Sequence, residues 1–142
     1  MPTLTVLCGL PGSGKSTYAA TLGATVLSAD AIRERGESAG VVFGWLYIRA
    51  RRLLAAGRDV VADTCALDVA DRAALLALGR AAGARVELVY MRVDAEVCRA
   101  RDAARAEGQR YRGEWNRARV KHSLSYNAVY REGFDRVTVV RG

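Results

Sequence analysis

Gly9-Leu10-Pro11-Gly12-Ser13-Gly14-Lys15-Ser16 matches the pattern G-x-x-x-x-G-K-[ST] at every position. The apolar run Leu4-Thr5-Val6-Leu7-Cys8 stands directly before it and Thr17-Tyr18-Ala19-Ala20 directly after. The order is therefore strand, loop, helix, which is the setting in which this pattern holds phosphate. The chemistry accounts for the spacing. Glycine at 9, 12 and 14 permits positive φ and close approach of the main chain, so that N–H groups from residues 9 to 17 can turn toward phosphate oxygens. A helix opening at Lys15 adds unpaired amino-terminal donors and a partial positive charge. Lys15 is expected between the β- and γ-phosphates of a nucleoside triphosphate, and the Ser16 hydroxyl is expected on Mg²⁺.

Working outward, 142 residues make one expected domain, residues 1–142, and 51% hydrophobic with 26% charged residues marks it as globular. No apolar run approaches the ~18–20 residues that cross a bilayer, and the chain enters its first strand without a leader, so no membrane contact and a cytoplasmic location are expected. Cys8, Cys65 and Cys98 are odd in number and far apart, which argues against a disulfide framework and against zinc. Buried reduced thiols are expected instead. A net charge of +7 favours anionic partners, nucleic acid among them, but the arginines are scattered rather than blocked, as on solvated helix faces.

After a helix over about 15–22 and a strand over 24–28, Asp30 and Arg33 follow at once. Ligands of open parallel sheets lie beyond the carboxyl ends of strands, so Asp30 is placed to accept the proton of an attacking hydroxyl, with helix capping as the plain alternative. Arg33, three residues on, shares its face and can hold an anion. Residues 38–57 read as a helix with Val42, Trp45, Leu46, Leu53 and Leu54 inward and Arg49, Arg51 and Arg52 outward. The strand 59–64 carries Asp63 near its tip, where a carboxylate can order a metal-bound water or fix the Ser16 hydroxyl. Asp68 is expected to cap a helix from Val69 to about Ala82.

A strand over 85–93 leads to a helix from Ala95 bearing Arg101 and Arg105. Spaced four apart, the two repel unless an anion lies between them; they are either splayed into solvent or form a lid, about 99–112, that closes on the triphosphate. Residues 114–131 read as a helix with Trp115, Val120, Leu124 and Tyr126 or Tyr130 as apolar points, and His122 as a surface or satisfied histidine. A fifth strand closes the chain. Strands alternating with helices predict a three-layer α/β/α domain whose five-stranded parallel sheet runs 2-3-1-4-5.

The runs GLPGSGKSTYA, SADAIRE, VVADTCALDVADRAAL and VYMRVDAEVCRARDAAR, over roughly residues 4 to 105, resemble the 5′-kinase domain of phage polynucleotide kinase and its small P-loop kinase relatives. The resemblance implies ATP and Mg²⁺ as cofactors, Asp30 as general base, Arg33 on the acceptor's 3′-phosphate, and Asp63 as the acid ending the third strand. It also implies Arg101 and Arg105 as lid arginines, and the 5′ end of single-stranded DNA or RNA as partner. Chloramphenicol phosphotransferase and zeta-toxin-like kinases share the loop, the acid and a basic lid yet act on small molecules. Three functions follow: a polynucleotide 5′-hydroxyl kinase, a small-molecule kinase, and a nucleotide-binding module without transfer.

Overall fold

The computed structural model describes residues 1–29 and 39–142. Asp30 and Arg33 lie outside the described residues. Five strands, β1 (Thr3–Cys8), β2 (Thr25–Ser28), β3 (Val60–Asp63), β4 (Arg85–Arg92) and β5 (Arg136–Arg141), form one sheet in the order β2-β3-β1-β4-β5. Every pairing is parallel, with Leu4 beside Val60 and Val86, and Tyr90 beside Val139. The expected order is the observed one.

Parallel strands are covered on both faces, and the sequence alternation divides the core accordingly. Leu4, Val6, Val60, Ala62, Val86, Leu88 and Tyr90 face one helical layer. That layer contains α2 (Ala39–Ala55) and α3 (Val69–Ala81), through Leu46, Ala50, Leu54 and Leu75. Leu7, Val61, Val89 and Met91 face the other side, against Ala19 of α1 (Lys15–Ala20). A third cluster, Leu10, Val93, Cys98 and Ala118, lies above the sheet and joins the phosphate loop to α4 (Ala95–Ala103) and α5 (Trp115–Ala128).

Several local expectations are corrected. Helix α1 ends at Ala20, because the Thr21 hydroxyl bonds back to the Tyr18 carbonyl and Gly23 turns the chain at φ 66°. Asp68 occupies the capping position of α3 but makes no capping bond, its carboxylate being drawn 2.6 Å to the Lys121 ammonium. Trp45 is exposed, with Arg49 stacked 5.0 Å over its ring. In α5 the inward residues are Ala118, His122 and Ser125, while Val120 and Leu124 face outward. His122 is satisfied rather than superficial: its ring stacks on Tyr90 at 4.6 Å and its Nε2 lies 3.0 Å from the Met91 carbonyl. Burial holds its pKa below the usual value for histidine.

Candidate active site

The phosphate loop follows β1, and its glycines serve different ends. Gly12 and Gly14 sit at φ 83° and 93°, where L residues are strained. A Cβ at Gly12 would come 2.3 Å from the Cys98 carbonyl oxygen, so here the glycine also lets α4 approach. Gly9 needs no positive φ. It is small because Met91 and Ser13 stand where its Cβ would go, each 2.8 Å away, and its N–H donates 3.0 Å to the Cys65 carbonyl. The six-residue α1 adds little dipole of its own, so the charge preference of the loop rests mainly on its amides and on Lys15.

Lys15 is 7% exposed, and its Nζ donates 2.9 Å to the Leu10 carbonyl. Among the described residues no carboxylate pairs with it. An ammonium held out of water without a counter-charge is costly, by several kcal/mol in order of magnitude, and the cost is offset when an anion arrives. The buried Ser13 hydroxyl in the same loop has no hydrogen-bond partner among the described residues. Both features fit a polyphosphate.

The Ser16 hydroxyl donates 2.7 Å to Asp63 Oδ2. The pleat explains the meeting, since Asp63 shares the side of β3 that carries Val61 toward α1. A hydroxyl and a carboxylate so joined, on the same rim as Lys15, fit a magnesium ion that takes its remaining ligands from water and phosphate. No cluster of three or more metal-ligating side chains exists among the described residues, as expected where protein ligands are few.

Arg101 and Arg105 separate. Nη1 of Arg101 lies 3.4 Å from the Gly12 carbonyl, against the phosphate loop. Because α4 stops at Ala103, Arg105 lies past the helix and does not share a helical face with Arg101; it pairs with Asp102 at 3.5 Å. The buried Asp102 carboxylate also takes the Tyr111 N–H with both oxygens at 3.1 Å, and so ties the end of α4 to the chain that follows it.

A cavity of about 250 Å³ opens from Lys15 and Asp63 away from the loop. Thr64 to Asp68, Phe43, Asp71, Tyr111 and Lys121 wall it. The Thr64 hydroxyl is buried without a hydrogen-bond partner among the described residues. Burial and the neighbouring Asp68 raise the pKa of Asp71 above the usual carboxylate value.

Sequence reasoning passed over the residue that holds this wall. Arg72 is 2% exposed; its Nε and Nη2 grip Glu132 at 2.6 and 2.8 Å. Its Nη1 donates to the carbonyls of Ala66 and Leu67 at 2.9 and 3.2 Å and to the Ser125 hydroxyl at 2.8 Å. Ala66, held between them, has φ 48°, a left-handed conformation unusual for alanine. The signal was present: an arginine at 72 stands on the same helical stripe as Leu75, Leu76 and Gly79, and a charge on an apolar stripe needs a partner.

A family model described as an AAA domain matches residues 4–129. No curated protein matches the chain in sequence. Three solved structures are similar in fold. A candidate kinase from Chloroflexus aurantiacus J-10-fl has a TM-score of 0.70 at 18% identity, over 99% of this chain and 88% of that one. Kti12 from Chaetomium thermophilum, in complex with ADP-AlF3, has 0.75 at 19%, over 97% and 88%. A gluconokinase from Sinorhizobium meliloti 1021 has 0.54 at 20%, over 99% and 82%. These likenesses establish a P-loop, kinase-type fold.

Proposed function

The chain belongs to the AAA domain family, and from that premise we propose that it is a phosphotransferase that moves the γ-phosphoryl group of ATP, with Mg²⁺, to a hydroxyl acceptor. The observation that carries this is Lys15, a buried ammonium with no counter-ion among the described residues, at the junction of an amide-lined loop and a cavity. The loop over residues 9 to 17 holds the triphosphate through main-chain N–H groups other than those of Gly9 and Ser13, which bond to the Cys65 and Leu10 carbonyls, and of Pro11, which has none. Ser16 and Asp63 would hold the metal, which offsets charge on the phosphate oxygens. Asp30 takes the proton from the acceptor hydroxyl as its oxygen bonds to phosphorus and the bond to the β-phosphate oxygen breaks. Lys15, Arg101 and Arg105 stabilise the negative charge on the transferred group, and Arg33 anchors an anionic part of the acceptor.

For the acceptor, the cavity favours a small polar molecule. It is about 250 Å³ in volume, and Lys15, Arg117 and Lys121 in its wall are matched by Asp63, Asp68 and Asp71, so no excess of positive charge gathers a strand there. The second reading, the 5′-hydroxyl of DNA or RNA, is favoured by the net charge of +7 and by the exposed Arg49, Arg51 and Arg52 of α2. Label transfer from γ-labelled ATP to sugars, nucleosides, amino alcohols and 5′-hydroxyl oligonucleotides tests both. Transfer to a small hydroxyl compound, insensitive to salt, is the expected result. Transfer to oligonucleotides alone, falling steeply with salt, establishes the second reading. Nucleotide binding with no labelled product from any acceptor overturns the transferase and leaves a binding module.

A further inference from the structure

On the side of α5 away from the acceptor cavity lies a second hollow, of about 670 Å³, into which Arg92, Arg119 and Arg141 converge. Arg92 and Arg141 end β4 and β5 and are register partners, so their side chains leave the same face of the sheet from neighbouring strands. Like charges so placed repel, and the arrangement is unfavourable unless something negative sits between them. Neither guanidinium has a carboxylate partner among the described residues, whereas Arg72, Arg80, Arg85 and Arg105 each do. Arg92 is held in place: its guanidinium lies 4.5 Å over the ring of Tyr126, with Nη1 3.4 Å from the phenol oxygen. Arg119 enters from α5, on the helical face that also presents Tyr126.

Two carboxylates line the same hollow. Asp94 is committed, since its Oδ1 accepts the Glu96 N–H at 2.8 Å as the cap of α4. Glu96 has no ion pair among the described residues, and the bond to Asp94 fixes that carboxylate without cancelling its charge, so the three arginines exceed the two acids by one charge.

We infer that this hollow is a second anion site, separate from the phosphate loop, that binds a phosphate-bearing ligand through Arg92, Arg119 and Arg141. Planar guanidinium groups suit the oxygens of a phosphate, and the carboxyl ends of parallel strands are where such ligands gather. The phosphate comes from a small ester or from a nucleic-acid backbone; the chemistry is shared and the experiment separates the two. The inference does not depend on the proposed transfer reaction.

The test is calorimetry on the whole chain saturated with ADP and Mg²⁺, titrated in one arm with ribose 5-phosphate and in the other with a five-nucleotide single strand. A further binding event is expected in at least one arm, weakened tenfold or more in Arg92→Ala/Arg141→Ala and unchanged in Arg58→Ala, an exposed arginine outside the hollow. Binding of the ester identifies a small-molecule source; binding of the strand alone, steeply weakened by salt, identifies the backbone. Should the double variant fold poorly, Arg119→Ala, on an exposed helix position, is expected to weaken the same event by at least threefold. No second event in either arm, or a second event that all three arginine substitutions leave unaltered, overturns the inference.

Discussion

The phosphate loop and the acceptor cavity meet at Lys15, yet the loop is made chiefly of main chain and the cavity of side chains drawn from distant parts of the sequence. In the loop, function is a backbone path: φ 83° and 93° at Gly12 and Gly14, and amides fixed by a bond from Gly9 to Cys65. In the cavity the polar wall is formed by residues such as Asp71, Tyr111 and Lys121, which only the tertiary fold brings together. A backbone path tolerates few substitutions and serves many ligands. A wall of side chains can change with its ligand while the fold stays the same.

The seam between the two should be the most fragile point. Arg72→Met removes the buried donor that holds Ala66, Leu67 and Glu132, and leaves the partly buried Glu132 carboxylate without it. Breaking one partner of such a pair costs about 3–5 kcal/mol, so thermal unfolding should come roughly 10 °C lower. A shift under ~2 °C by calorimetry would show that the wall stands without it. Next in size, Lys15→Met should lower phosphoryl transfer on the order of a hundredfold or more, while the melting temperature of the nucleotide-free protein holds or rises, because a buried ammonium that pairs with no carboxylate among the described residues is gone. Transfer within threefold of the parent would remove Lys15 from the reaction.

On the cavity side, Asp71→Asn should change the acceptor KM severalfold and leave nucleotide affinity within error; equal loss of both would mean that loop and cavity are one structural unit. The pH response divides them again. His122 is buried with a lowered pKa, so the unfolded chain binds its proton first as pH falls. Stability is therefore full above the ordinary histidine pKa and declines below about pH 6.5, and His122→Gln should flatten that decline in denaturant titrations. The smallest effect belongs to Leu124→Gln, at a residue 70% exposed on α5: within about 0.5 kcal/mol of the parent.

The same contrast explains what could be read in the chain beforehand. Strand order and the positions of Lys15, Ser16 and Asp63 follow from local pattern, since a phosphate loop is contiguous and the strands alternate in unbroken apolar runs. Of the apolar points of α5, Trp115 and Tyr126 pack against the core, whereas Val120 and Leu124 face outward. The buried stripe is Ala118, His122 and Ser125, where Ser125 bonds to Arg72 and His122 to the Met91 carbonyl, and polar residues held in this way carry no apolar signal. Asp102 gives no such signal for the same reason: its partners Arg105 and the Tyr111 amide lie beyond the end of α4, in irregular chain whose shape no repeating pattern records.

The three thiols differ in a way that gives the molecule a built-in gauge. Burial pushes Cys8 up to about 12 and raises Cys98 as well, so neither offers much thiolate near neutrality. Cys65 alone is half-buried, and it stands in the wall of the acceptor cavity. Alkylating reagents should therefore mark that position first, and the rate at which they do so would register, without any assay of turnover, whether something already fills the space.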